Sequence, residues 1–337
     1  MKTLLRWALA LLGPAILAIF LLTNDLRAVW ASLRATDPLL FGLSAVLVVP
    51  FLLAKGWRWQ LVLQAWEIRI PVVFATLLYT LGIFVGSVTP GQGGDAVKAW
   101  YLRRDGHPLG PSLLSIIVDR FFDVAIMGLI AASGLYFYRS FLTDELELVI
   151  VLSLALLVAG IAILASAKLR RKLVSFLGRL VPGRLRELAA STGLRDRVLA
   201  MSPLRIAQLV LVSFVTLGFT FVRLFLVFLA ADLWIDIGPY LALIAIVAIV
   251  SVFSVAGIGT RDAAMVLILT GLAASGQMTY RDGSPIPPGQ AGALAISLST
   301  LFLILNIINV LLGFLVTLRY PLADALAPGS RAAIEQA

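Results

Sequence analysis

The stretch Gly86-Ser-Val-Thr-Pro-Gly-Gln-Gly-Gly-Asp-Ala-Val-Lys98 interrupts a chain that is otherwise mostly apolar. Pro90 has no backbone N–H to donate, and each of the four glycines weakens a helical backbone, so the stretch cannot be one continuous helix. Apolar sequence over 71–85 leads directly into it. In a membrane, broken backbone persists only where it is buried in protein or lines a wet cavity. We therefore predict that 71–104 forms a re-entrant hairpin.

A second copy of this motif lies in the C-terminal half of the chain. Ser254-Val-Ala-Gly-Ile-Gly-Thr-Arg-Asp-Ala263 matches 87–96 at four of ten positions, with an offset of 167 residues (254 − 87). Interrupted hydrophobic segments at corresponding places in two halves of a chain point to the binding site of a transporter. We predict repeat halves at about 39–138 and 204–318.

The composition indicates an integral membrane protein with helical spans. Of the 337 residues, 61% are hydrophobic and 13% are charged, and the mean hydropathy is +1.01. The apolar runs are continuous, whereas a β-barrel shows short alternating segments. The chain has no cysteine and one histidine, His107, which excludes disulfides and thiolate chemistry and leaves little for a histidine metal centre. We therefore expect no cofactor and no metal.

The fold class that these runs predict is all-α and polytopic, with about six full spans and two glycine-broken re-entrant hairpins related as an inverted repeat. A single transmembrane domain covers 1–320, and 321–337 forms a short tail. The hairpins are expected at 71–104 and 239–275, and the six spans at about 4–23, 39–62, 112–138, 147–166, 204–231 and 291–318.

The net charge of +9 is concentrated in one loop. Residues 168–205 carry ten basic side chains against Glu187 and Asp196. The positive-inside rule places this loop in the cytoplasm, so the charge indicates topology and not nucleic-acid binding. Counting spans from this loop places both termini in the cytoplasm and opens the two hairpins from opposite sides. The expected location is a bacterial-type cytoplasmic (inner) membrane.

Charged residues also occur at or near membrane depth, in three clusters: Asp95 with Lys98, Asp119 with Arg120 and Asp123, and Arg261 with Asp262. Ionisable groups are costly there and indicate function by default. Glycine-broken helix ends offer amide donors and a positive dipole, which suit a phosphate. Arg120 is expected to pair with Asp123, three residues on. The structural alternative is that these groups only pair with one another and lock the fold.

Two further arginines lie in apolar runs. The second span ends in Lys55-Gly-Trp-Arg-Trp59, which suits an interfacial anchor; alternatively, Arg58 turns inward to meet an anionic lipid head. Arg223 lies well inside a span, where an arginine faces the protein interior with a partner or else snorkels to the head groups.

An enzyme is not expected. The chain has no Ser–His pair in a suitable setting and no Gly-x-x-x-x-Gly-Lys-Ser/Thr phosphate loop. Asp119 and Asp123 could in principle hold Mg²⁺, but the intervening Arg120 favours an ion pair instead.

Four motifs in order resemble the lysylphosphatidylglycerol synthase transmembrane region, also described as a flippase-like membrane family. They are Trp57-Arg58-Trp59, Pro90-Gly-Gln-Gly-Gly-Asp95-x-x-Lys98-Ala, Asp119-Arg120-x-x-Asp123 and Gly257-x-Gly259-x-Arg261-Asp262. The resemblance covers nearly the whole chain; members often have Arg in place of Lys98 and Glu in place of Asp119. It implies translocation of a lipid or polyprenyl-linked substrate. The soluble aminoacyl-transferring domain of bifunctional relatives is not expected here.

We thus expect a flippase-like transporter that moves a phospholipid or polyprenyl-phosphate-linked lipid between leaflets, with anionic lipid heads as partners and no nucleic acid. A different hypothesis is a non-catalytic membrane partner of a lipid- or glycan-modifying enzyme that docks through 168–205; the third is an intramembrane transferase. A homo-oligomer is compatible with each. The candidate substrate-binding residues are Arg58, Pro90, Gly94, Asp95, Lys98, Asp119, Arg120, Asp123, Gly257, Gly259, Arg261 and Asp262.

Overall fold

The computed structural model describes residues 36–87, 89–138, 203–252 and 260–322, together with residues 34, 148, 151, 152 and 155. Several predicted features lie outside these residues. They are the first span at 4–23, almost all of the span at 147–166, the basic loop 168–205 up to its last three residues, the break of the second hairpin at 253–259, and the tail from 323 onwards.

The described part of the chain is helical, as predicted. In chain order the elements are α1 (Pro38–Val46), α2 (Val48–Gln64), α3 (Val72–Gly86), a 3₁₀ helix (Pro90–Ala96), α4 (Val97–Arg104), α5 (Leu109–Ala132), α6 (Gly134–Phe137), α7 (Pro203–Ala230), β1 (Leu233–Ile235), α8 (Ile237–Val252), α9 (Thr260–Ala274), β2 (Met278–Tyr280) and α10 (Pro288–Arg319).

Within the described ranges, three helices are long and apolar enough to cross a membrane: Pro38–Gln64, Ala207–Ala230 and Gly289–Arg319. The first of these joins α1 and α2, and its start is fixed by Asp37, whose carboxylate accepts from the backbone N–H groups of Leu39 and Leu40. α5 is similarly long, at 24 residues, but carries three charged side chains in its middle. The chain is a multi-pass membrane protein.

The first hairpin folds back on itself at the glycine-rich stretch. A Cβ atom on Gly94 would collide with the backbone of Val85 and Gly86, and one on Gly82 would collide with Asp95. Residues later in the returning limb thus contact residues earlier in α3: Gly94 lies against Val85 and Gly86, whereas Asp95 lies against Gly82. The two limbs therefore run antiparallel. With 15 residues, α3 is about 22 Å long, less than the roughly 30 Å of a bilayer's hydrocarbon core.

The second hairpin is closed by a two-stranded sheet. β1 leads into α8, β2 follows α9, and the strands pair antiparallel with Leu233 opposite Tyr280 and Ile235 opposite Met278. Both limbs therefore start and finish at the same end of the molecule, which we call the strand end. The offset of 167 residues carries α3 onto α8 to within two residues at each terminus.

The two hairpins open at opposite ends. α10 begins at the strand end, where Gln290 accepts from the Tyr280 hydroxyl. With 32 residues, α10 spans about 48 Å and finishes beside the first hairpin. There the hydroxyl of Tyr101 on α4 donates to the backbone carbonyl of Tyr320 at 2.7 Å, and the Phe74 and Tyr320 rings lie 5.8 Å apart. We call this the tail end.

The two larger of three buried apolar clusters in the described residues hold most of the helices together. One joins α7, α8, α9 and the first half of α10, and the other joins α2, α3, α4 and the second half of α10. α10 therefore packs against both hairpins. Many large apolar side chains point outwards instead, as suits a surface covered by lipid; examples are Val49, Leu53, Ile117, Leu129, Phe214 and Leu315.

Candidate functional site

Charged side chains from α2, α5 and the first hairpin meet in the protein interior. We call this group the central ion network; its members are Lys55, Arg58, Tyr79, Asp95, Lys98, Asp119, Arg120 and Asp123. Six of the twelve predicted site residues belong to it.

Arg58 is the centre of the part that joins α2 to α5. Its Nε donates to Asp119 Oδ1 at 2.8 Å, and its Nη1 donates to Asp123 Oδ1 at 2.6 Å. Nη2 donates to the backbone carbonyl of Asp119 at 3.2 Å. Asp119 and Asp123 lie four residues apart on one helical face, so a single planar guanidinium reaches both carboxylates.

Lys55 and Tyr79 complete the bonding of these carboxylates. Lys55 Nζ lies 2.7 and 2.8 Å from the two Asp123 oxygens, and the Tyr79 hydroxyl donates to Asp119 Oδ2 at 3.0 Å. Neither residue is among the site residues predicted from the sequence. Lys55 lies three residues before Arg58 and so shares its helical face, which was an available signal; nothing in the sequence pattern distinguishes Tyr79.

Arg120 pairs with the hairpin and not with its own helix. Its Nε donates to Asp95 Oδ2 at 2.5 Å, and its Nη2 also contacts that oxygen. The predicted pair of Arg120 with Asp123 is therefore wrong. Consecutive helical positions are turned by about 100°, so Arg120 points towards the hairpin while Asp119 and Asp123 face α2.

Lys98 is the least satisfied member of the network. It is fully buried, and its ammonium nitrogen makes no hydrogen bond within the described residues. Nζ lies 3.4 Å from Asp95 Oδ1, which also has no hydrogen bond there. The ammonium sits 4.1 Å from the ring centroid of Tyr79 and 5.1 Å from that of Trp59, within the range of cation–π attraction. Buried polar groups with incomplete bonding are rare and call for a functional explanation.

The charge balance of the network favours an anion. Four cations (two Lys, two Arg) face three carboxylates, so one positive charge is in excess. Arg120 is the most accessible charged member, with 31% of its side chain exposed. An anionic group could therefore approach the network at Arg120 and reach the poorly bonded Asp95–Lys98 pair behind it.

The tryptophans of the second span behave differently from each other. Trp57 is 43% exposed, whereas Trp59 is fully buried and donates from its indole N–H to Ser115 at 3.0 Å. The interpretation as an interfacial anchor is therefore wrong for Trp59. Arg58 turns inward, but the groups that it contacts are carboxylates of the protein itself.

The remaining predicted residues are only partly described. Gly94 lies at the turn of the first hairpin, and its N–H donates to Thr89 Oγ1 at 2.7 Å. Pro90 begins the 3₁₀ helix. Arg261 and Asp262 fall in the first turn of α9, but their side chains are not among those that the structure describes. Gly257 and Gly259 lie outside the described residues altogether, so the participation of the second motif stays a prediction.

A polar cavity lies at the tail end, beside the mouth of the first hairpin. Its volume is about 540 Å³, and it is lined by Gln60, Gln64, Glu67, Arg69, Ile70, Pro71 and Arg205. On α2 the cavity is lined by Gln60 and by Gln64, the last residue of that helix. The cavity therefore lies at the end of the molecule where the first hairpin opens.

The described residues contain no group of three or more histidine and carboxylate side chains arranged as metal ligands. Asp119 and Asp123, which the sequence allowed as Mg²⁺ ligands, are instead bound by Arg58, Lys55 and Tyr79.

Fold and site together define a polytopic helical membrane protein in which two opposed hairpins accompany a buried ion network. The model of the family described as the lysylphosphatidylglycerol synthase TM region matches residues 6–280, and the chain belongs to this family. The match confirms the resemblance that the four motifs indicate. Comparison with curated proteins and with solved structures gave no match.

Proposed function

We propose that this protein is a flippase-like transporter that moves a phospholipid or a polyprenyl-phosphate-linked lipid between the leaflets of a bacterial-type cytoplasmic membrane, with both termini in the cytoplasm. The observation that carries the proposal is the incompletely bonded Asp95–Lys98 pair. It is buried inside a hairpin and belongs to an ion network with an excess of positive charge.

A lipid phosphate fits the groups that this pair leaves unused. An ammonium has three N–H donors, and that of Lys98 makes no hydrogen bond in the described part of the chain. The guanidinium of Arg120 adds a fork that matches phosphate oxygens. The phosphate would lie between Lys98 and Arg120, and Asp95 would balance these cations when the site is empty.

The position of the pair suits transport between leaflets. Lys98 lies beside Tyr79 and Gly82, in the middle of α3, and transporter sites lie near the bilayer midplane where broken helices from two repeats meet. The outer faces are apolar, so the acyl or prenyl chains would remain in the bilayer. Movement of one hairpin-containing half against the other would expose the site to each side in turn.

A lipid-translocation assay in reconstituted vesicles tests the proposal. Lys98→Met breaks the 3.4 Å ion pair with Asp95 but no described hydrogen bond, and Asp95 keeps Arg120 as its partner. The variant should therefore fold, and it should translocate labelled phosphatidylglycerol at least about tenfold more slowly, which corresponds to about 1.4 kcal/mol in the barrier. Arg281→Gln, which removes an exposed cation at the strand end, is the matched control and should transport normally. Undiminished transport by a folded Lys98→Met protein would refute the proposed role of the pair.

The proposal leaves the chain without an enzymatic activity of its own. The alternative of a membrane partner that docks an enzyme through 168–205 stays a prediction, because nearly all of that loop lies outside the described residues. Deletion of the loop separates the two hypotheses: a docking protein would lose a co-purified enzyme, whereas a transporter would still move lipid.

A further inference from the structure

A buried arginine lies outside the central ion network. Arg223 of α7 is 7% exposed, as its place in a span predicts. Its Nε and Nη1 atoms, however, make no hydrogen bond with any part of the chain that the structure describes. The expected partner is therefore not found among those residues, and a side chain so deeply buried is not snorkelling to the head groups.

Phe51 links Arg223 to the network. The guanidinium carbon of Arg223 lies 4.9 Å from the centroid of the Phe51 ring, and Lys55 Nζ lies 5.8 Å from the same centroid. Lys55 in turn binds Asp123 at 2.7 Å. The Phe51 ring thus lies within reach of two cations. Lys55 is paired with Asp123, whereas Arg223 has no carboxylate partner within the described residues.

The direction of α7 fixes where Arg223 lies. Ser213 of α7 lies 3.5 Å from Arg58 Nη1, so it marks the level of the network. Arg223 is ten residues further on, about 15 Å closer to the strand end. α7 continues for seven more residues, about 10 Å, before it ends at Ala230. Arg223 therefore lies between the network and the head-group layer at the strand end.

An unpaired guanidinium at this depth is energetically costly, since an ion in a low-dielectric interior needs a partner. An anion that binds reversibly at Arg223 would lower this energetic cost. The neighbouring aromatic ring supports the cation when no anion is present, but it leaves the N–H groups of Nε and Nη1 without an acceptor among the described residues.

We propose that Arg223 is a second binding position for the phosphate of an anionic lipid, one step from the central ion network towards the strand end. The inference rests on the proposed function for the identity of the ligand as a lipid. The head group would pass from the central ion network across Phe51 to Arg223, so that the crossing is divided into two shorter steps. The anion site itself follows from the unpaired guanidinium and its surroundings.

Native mass spectrometry of the full-length protein with added phosphatidylglycerol tests the site. We expect two tightly bound lipids on the wild type. Arg223→Gln should weaken one of them about 10- to 100-fold, the value of one charge-assisted hydrogen-bonding group. Arg223→Lys should retain it in part, and the exposed Arg281→Gln control should retain both. Two lipids bound with unchanged affinity to Arg223→Gln would overturn the proposal.

A phosphate arm identifies the source of the anion. Millimolar inorganic phosphate should leave the second lipid in place if the acyl chains contribute to binding. If inorganic phosphate displaces that lipid from the wild type but leaves lipid binding to Arg223→Gln unchanged, the anion site is supported. The site would then bind free phosphate as well as lipid.

Heat stability separates this site from a structural arginine. Arg223→Met fills the space with an apolar side chain, so its unfolding temperature should be equal to or higher than that of the wild type. A fall of several degrees would mean that Arg223 has a structural partner and would overturn the proposal.

The transport assay separates this site from the proposed function. If the wild type moves no lipid but binds two lipids, and Arg223→Gln binds only one, the anion site is retained and the proposed function is rejected. If the wild type moves lipid and Arg223→Gln still binds two lipids, the function is retained and the site is rejected.

Discussion

Arg58 of α2 holds Asp119 of α5 through an Nε–Oδ1 hydrogen bond of 2.8 Å, with both side chains almost completely buried. The same guanidinium also reaches Asp123, one helical turn further along α5. This contact fixes the register of α5 against α2. It thereby sets the direction in which Arg120, the neighbour of Asp119, points towards the hairpin.

Removal of Asp119 should therefore destabilise the protein strongly. Asp119→Leu leaves Arg58 short of one buried carboxylate and deprives the Tyr79 hydroxyl of its acceptor. Breaking one side of a buried ion pair costs about 3–5 kcal/mol. Thermal unfolding in detergent measures the effect, and Asp282→Leu, at an exposed loop position, is the control. A loss no greater than that of the control would show that this pair does not hold the helices.

A neutral double-mutant cycle tests the contact between hairpin and helix. Asp95→Asn leaves Arg120 without its carboxylate, and Arg120→Gln leaves Asp95 with Lys98 alone, so the double variant should lose less stability than the two single losses together. Contacting charged residues show interaction energies of about 0.5–3 kcal/mol. The two variants that lack Arg120 should also transport lipid poorly if Arg120 contacts the phosphate. Strictly additive losses would mean that the two side chains do not act as a pair.

The close packing of the first hairpin predicts a position-specific effect of glycine substitution. Gly94→Ala places a Cβ against the backbone of Val85 and Gly86, which cannot move aside as a flexible side chain can. Overpacking of this kind costs about 1–3 kcal/mol. Gly42→Ala, in α1, meets nothing within 4 Å and should be neutral or stabilising by up to about 1 kcal/mol, because alanine favours the helix. Equal effects of the two substitutions, measured by thermal unfolding, would contradict this account.

The sequence predicts the hairpins better than it predicts the ion pairs. Pro90 and the glycines break the helix locally, and a local break is visible in a single chain. The partner of Arg58, by contrast, lies 61 residues away on another helix, and no periodicity encodes such a distance. The spacing of Asp119 and Asp123 correctly places them on one face, but it does not reveal what that face contacts.

The error over Arg120 has the same physical origin. Within a helix, a pair of opposite charges three residues apart is worth only about 0.2–0.5 kcal/mol. A buried carboxylate from another element, such as Asp95, competes strongly with it, because both ions are largely removed from water. Rules for charge pairs within one helix fail where tertiary contacts remove the charged groups from water. Tertiary packing also buries Trp59, although its sequence context is typical of a membrane interface.

Cysteine labelling tests the opposed orientation of the hairpins and the predicted sidedness together. The chain has no cysteine, so single substitutions give unique labelling sites. Arg103→Cys lies where the first hairpin ends, and Asp282→Cys lies just beyond β2, at the strand end; both native side chains are exposed. In intact cells, a membrane-impermeant maleimide should label only Asp282→Cys, because the first hairpin is predicted to open to the cytoplasm. In inside-out vesicles only Arg103→Cys should react. Labelling of both positions from one side would show that the hairpins do not open to opposite faces of the membrane, and alternating access between them would then have no structural basis.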